Sequence, residues 1–179
     1  MENENEQTAP VTTRSVGIRY GLILALIAVL YFVVLNVSGI DMTQGIGRWG
    51  SFVFYIAIIF LAQKNYKDNG SGFMSYGEGM GISFWIALIT SVISSIFTFI
   101  YVKFIDPGFV KLMMDKQEEA MVEKGMSQDQ IDMAMKMTAK FMTPEMMLIF
   151  GIIFGLIMIL IVGLIVTIFT QKKNPDMPV

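Results

Sequence analysis

Three stretches of this chain, residues 20–40, 82–102 and 146–171, carry no charged side chain at all. A helix needs about 20 predominantly apolar residues to cross a hydrocarbon core about 30 Å thick. Helices are favoured there because they satisfy their own backbone where no water reaches. Each run therefore predicts a transmembrane helix. A further run, 49–63, is shorter. It spans the membrane if the helix begins near residue 44 and the Arg48 side chain snorkels to the interface; otherwise it is a re-entrant or interfacial segment.

The expected fold class is an all-α membrane protein, a four-transmembrane-helix bundle with an extramembrane helical hairpin between spans three and four. The spans are expected at about 16–40, 44–64, 76–104 and 144–171, within a single membrane domain over 16–173. A disordered acidic tail (1–15) precedes it and a short tail (174–179) follows. The first residues, Glu2, Glu4 and Glu6 among them, are acidic rather than basic. With no small-residue cleavage site after the apolar run, the first helix is expected to remain as an uncleaved anchor.

Composition narrows the chemistry. Of the 179 residues, 54% are hydrophobic and only 16% charged, against about 25% charged in soluble domains. A net charge of −2 argues against nucleic-acid binding, which needs a basic face to meet phosphate. Cysteine and histidine are both absent. That removes disulfides, thiol nucleophiles, Cys/His zinc sites and imidazole acid–base chemistry. No cofactor or metal site is expected. Arg14, Arg19, Lys64, Lys67, Lys172 and Lys173 share one side of a four-span topology, which places both termini in the cytoplasm by the positive-inside rule.

Between spans three and four the pattern becomes that of a soluble hairpin over 107–142. Asp106-Pro107 is a start signal for its first helix, Gly125 suits the left-handed position past its end, and Ser127-x-x-Gln130 suits a capping box for the second. Ten of the 16 methionines fall between Met113 and Met147. One apolar stripe contains Val110, Met113, Met114, Met121 and Val122; the other contains Ile131, Ala134, Met135, Thr138 and Met142. These faces pack on each other or on the bilayer surface. Alternatively Met113, Met121, Met135 and Met142 form a partner surface, since thioether side chains re-pack readily. Met133-x-Met135-x-Met137 resembles thioether runs that hold Cu(I). On a helix, however, residues two apart point to nearly opposite sides.

Small residues mark helix-packing faces inside the membrane. Gly17, Gly21 and Ala25 repeat every four residues in span one. Gly151 and Gly155 form a GxxxG in span four, with Gly163 further along. Span three carries Ser83, Ala87, Ser91, Ser94, Ser95 and Thr98, read as a contact face or, as the alternative, a polar path for a small solute. The glycine-rich segment 70–81 leads into span three. Ser75-x-x-Glu78 can cap that helix, and the glycines allow close approach of a neighbour. Glu78 is the single acid that stands out as a functional candidate, with Arg19 as its expected partner across the bundle.

Gly72-Phe-Met-Ser-Tyr-Gly-Glu-Gly-Met-Gly81, Phe104-Ile-Asp-Pro-Gly-Phe109, and the Lys/Glu/Met-rich hairpin turning at Gly125-Met-Ser127 resemble the bacterial domain-of-unknown-function family 4199. The likeness covers about residues 14–173. It implies a small four-span bacterial membrane protein and brings no catalytic residues; the expected location is the bacterial inner membrane. The expected role is non-enzymatic: a structural or accessory subunit acting through helix association and its Met-rich hairpin. Its expected partners are the lipid bilayer and a second copy or another membrane protein. The alternative is a small oligomeric transporter or channel. An enzyme ranks third, because no two acids converge by spacing on a membrane-facing site.

Overall fold

The computed structural model describes residues 11–40 and 45–173. Six α-helices account for most of them: α1 (Thr13–Val37), α2 (Gly45–Asp68), α3 (Tyr76–Ile100), α4 (Phe109–Glu123), α5 (Gln128–Phe141) and α6 (Pro144–Thr170). A π-helical turn, Tyr101–Ile105, extends α3. Among the described residues, three helices are long and apolar enough to cross a membrane: Thr13–Val37, Tyr76–Ile105 and Pro144–Thr170. Their outward faces carry large apolar side chains such as Leu22, Leu26, Leu30, Ile153 and Phe154, all exposed. Lipid solvates such a surface and water does not, so this is a membrane protein.

Helix α2 is not among the three, and several helix boundaries differ from the expected ones. Helix α1 begins at Thr13, because Thr12 and Ser15 cap each other's backbone amides. Expectations for residues 1–10, 41–44 and 174–179 lie outside the described residues, as does the Arg48 side chain. Helix α2 continues past the apolar run to Asp68, since Tyr66 and Lys67 at its end are tied to α3 and α6. The fourth helix starts at Phe109 rather than at Pro107. Asp106-Pro107 instead forms the turn that closes the π segment, with the Asp106 amide bonded to the Tyr101 carbonyl at 2.8 Å.

The chain divides into two compact units. One contains α1, α2, α3 through Thr90, and α6 from Leu156. Its core is a cluster including Leu24, Ile59, Ala62, Met74, Ile82, Ile86 and Ile159, each essentially inaccessible. Gly17 and Gly21 bring α1 onto α3: a side chain at Gly17 would meet Trp85, and one at Gly21 would meet Ile89 and the Ile86 backbone. Ala25, on the same face, is buried. Thr90 donates to the Gly21 carbonyl at 3.1 Å. On the other side of α3, Gly79 lies against Thr167 and Ser83 lies against Gly163.

The second unit comprises Ser91–Gly155. Here Ser91 meets Gly155 and Ser95 meets Gly151, an antiparallel register of α3 with the start of α6. Helix α4 ends in a Schellman motif. The Gly125 amide bonds to Val122 (2.9 Å) and the Met126 amide to Met121 (3.2 Å), with Gly125 at φ +73°; glycine takes that conformation without a Cβ penalty. Ser127 and Gln130 then cap α5, and Gln117 of α4 reaches Thr138 of α5 at 3.4 Å.

Candidate functional site

Polar side chains converge where the end of α2 meets the start of α3 and the end of α6. The centre is Gln63, completely buried. Ile59, Gln63 and Tyr66 share one face of α2 by helical spacing, so the face that inserts Ile59 into the core also inserts an amide. Its Nε2 lies 2.7 Å from Thr167 Oγ1, 3.1 Å from the Gly79 carbonyl and 3.2 Å from Ser83 Oγ. Its Oε1 accepts from the Thr170 hydroxyl. Ser83 also donates to the Gly79 carbonyl at 2.9 Å. An amide offers two donors and one acceptor oxygen, and all three are engaged by α3 and α6. The absence of a side chain at Gly79 is what admits the clasp, because a Cβ there would sit 2.5 Å from Thr167 Cγ2.

Beside this clasp, Glu78 holds the α3 N-terminus. One carboxylate oxygen accepts from the Ser75 amide (2.7 Å) and hydroxyl (2.8 Å). The other accepts from the Tyr66 hydroxyl at 2.7 Å. The Glu78 amide in turn donates to Ser75 Oγ at 3.2 Å, which completes the capping box. The expected Glu78–Arg19 pair does not form. Arg19 lines a separate cleft of about 320 Å³ with Val11, Ser15, Val16, Asn65 and Asn69. Tyr66 is closer in the fold to the carboxylate, and a short hydroxyl bond replaces the expected ion pair.

The end of α6 is closed in the same way. Lys67 donates to the Thr170 carbonyl at 2.7 Å, meeting one of the carbonyls a helix C-terminus leaves open and matching its negative dipole end. A two-bond bridge joins Met74 and Lys172, both bonds 2.9 Å. Lys172 also lies 5.3 Å over the Phe73 ring.

The other singled-out residues fall elsewhere. Thr98 donates back to the Ser94 carbonyl at 2.9 Å. The Ser91 and Ser94 hydroxyl oxygens are buried without a hydrogen-bond partner. Ser94, Ser95 and Thr98 line an open groove of about 350 Å³ with Met147, Phe150, Gly151 and Phe154. Met113, Met121, Met135 and Met142 are half-buried, whereas Met133 and Met137 are exposed. Among the 70–81 glycines only some meet neighbours: a Cβ at Gly77 would meet nothing within 4 Å.

Gln63, Tyr66, Thr167 and Thr170 were not among the expected site residues. The signal for Gln63 is an amide at helical spacing from Ile59 on an apolar face. For Thr167 and Thr170 it is a pair of hydroxyls closing an otherwise aliphatic span.

As a chemical device the cluster is closed. Its donors meet its acceptors, and it holds α2, α3 and α6 at one level. No curated protein and no solved structure matches the chain. The family described as a protein of unknown function (DUF4199) matches residues 19–172, nearly the whole chain, and this protein belongs to that family.

Proposed function

We propose that this protein is a non-enzymatic structural or accessory subunit of the bacterial inner membrane, with four spans and both termini in the cytoplasm. It acts by helix association, as a homo-oligomer or beside another membrane protein, with the α4–α5 segment outside the bilayer as its docking element. The observation that carries this reading is the closed Gln63 clasp. A transport or catalytic site keeps polar groups open toward its substrate, while here the amide and the Thr167, Thr170 and Ser83 hydroxyls engage one another. Helix α2 supports a fourth span: its 24 residues extend about 36 Å at 1.5 Å per residue. Tyr31 of α1 and Phe54 of α2 meet edge-to-face at 5.5 Å.

The test is crosslinking of the intact protein in its own membrane, with partners identified by mass spectrometry. Deleting residues 107–142 and closing the loop is expected to abolish partner recovery. Unchanged recovery would sink the docking role. A small oligomeric transporter or channel is the second reading, favoured by the groove that Ser94, Ser95 and Thr98 line. It requires Glu78→Gln to lose flux while still assembling, whereas a scaffold is indifferent to that change.

A further inference from the structure

Helix α5 has two unlike faces. Ile131 is buried, and Met135 and Thr138 are half-buried. On the other side Met133, Met137 and Phe141 are 69%, 59% and 49% exposed. Four-residue steps place these three in one stripe. Lys136 and Lys140, both exposed, border it one position before Met137 and Phe141. An exposed apolar stripe edged by lysines is the pattern of a helix lying in a membrane interface.

The depth of that stripe follows from α6. Its 27 residues span about 40 Å, some 10 Å more than a hydrocarbon core of about 30 Å. Phe150 lies six residues in from Pro144, about 9 Å along the axis. Even with the whole surplus at this end, Phe150 comes within about 1–2 Å of the hydrocarbon boundary, and tilt carries it deeper. The Phe141 ring packs edge-to-face on Phe150, centroids 5.9 Å apart, and Phe150 lies 6.0 Å from Phe154. The α5 stripe therefore runs without a break into the exposed face of α6 formed by Ile149, Ile153 and Phe154. The three α5 side chains alone are less than a standard protein interface needs. At about 200 Å² per large side chain, the three exposures amount to roughly 350 Å², under half of the ~800 Å² each partner contributes to a standard interface.

We propose that α5 is an interfacial helix of the bilayer that α6 crosses, with Met133, Met137 and Phe141 in the acyl–headgroup boundary and Lys136 and Lys140 against lipid phosphates. This goes beyond the accessory role and does not rest on it, since it requires only that α6 be in the membrane; it leaves α4 as the part of the docking element held clear of the bilayer.

The chain has no cysteine, so single labels report one position each. The full-length protein carries Met137→Cys, with Glu118→Cys on α4 and Phe154→Cys on α6 as references. Each variant is labelled with a small fluorophore in phosphatidylcholine–phosphatidylglycerol vesicles. Acrylamide quenching at residue 137 is expected to fall about fivefold below that at residue 118, with quenching by lipid-attached nitroxide close to that at residue 154. Met133→Cys is expected to report the same. Acrylamide access equal to that at residue 118 overturns the proposal. So does shielding from both quenchers, which means a second copy or another protein covers the stripe. Lipid quenching at residue 137 is expected to rise with phosphatidylglycerol content, and to lose that dependence in the Lys136→Gln/Lys140→Gln variant. A dependence that survives both changes overturns the lysine–phosphate contact.

Discussion

Gln63 and Thr167 stand 104 positions apart in sequence and 2.7 Å apart in space, joined by a fully buried amide-to-hydroxyl hydrogen bond. That bond and its neighbours fix α2 against both α3 and α6. Replacing Gln63 with Leu keeps similar bulk but leaves the Thr167, Thr170 and Ser83 hydroxyls without the amide. Interhelical hydrogen bonds in membranes are worth about 0.6 kcal/mol each on average. The variant is therefore expected to lose about 1–3 kcal/mol, measured by reversible unfolding in mixed micelles. Stability equal to the parent protein would show that the clasp is incidental.

The glycines divide into two kinds, and substitution separates them. Gly79→Ala places a Cβ 2.5 Å from Thr167 Cγ2, so the helices must part or the threonine must turn out of the clasp. Overpacking of this kind costs about 1–3 kcal/mol. Gly77→Ala meets open space and is expected to stay within about 0.5 kcal/mol of the parent. Thermal unfolding in detergent distinguishes the pair, and equal losses at both positions would contradict the assigned contact.

Glu78 is read here as a cap whose partners are Ser75 and Tyr66. Glu78→Ala removes all three bonds its carboxylate accepts. It is expected to fray the first turn of α3 at a cost of about 1 kcal/mol, as for other lost caps. Glu78→Gln keeps an acceptor oxygen and is expected to retain much of the protection. Amide exchange over residues 75–82 reads the difference. Equal exchange in Glu78→Ala and the parent argues against the capping role.

The turn after α4 offers a backbone test. Gly125 sits at φ +73°, where a side chain is strained by about 1–2 kcal/mol. Gly125→Ala is expected to raise amide exchange in the last turn of α4 and the first turn of α5, leaving α1 unchanged. A uniform response along the chain would instead implicate global unfolding.

Sequence by itself determined what depends on near neighbours and on the solvent. Charge-free runs mark the three apolar helices because a backbone in lipid must satisfy itself. Ser75-x-x-Glu78, Ser127-x-x-Gln130 and Gly125 mark helix ends because each device closes within a few residues. The spacing of Gly17 with Gly21, and of Gly151 with Gly155, shows that each helix has a small-residue face. It carries no information about which helix that face meets.

Only the tertiary structure decided the partners. Periodicity yields a face but no register. The antiparallel setting of α3 on α6, which puts Ser83 at Gly163 and Gly79 at Thr167, depends on how whole helices slide and pack. The same holds for Glu78, whose carboxylate met Tyr66 rather than Arg19 because the end of α2 brings that hydroxyl within 2.7 Å. It holds also for the methionines, where the burial of Ile131 turned Met133 and Met137 outward and left Met135 half-covered. Gln63 is the plainest case: its chemistry was visible in the chain, but its role required three helices to arrive at one level.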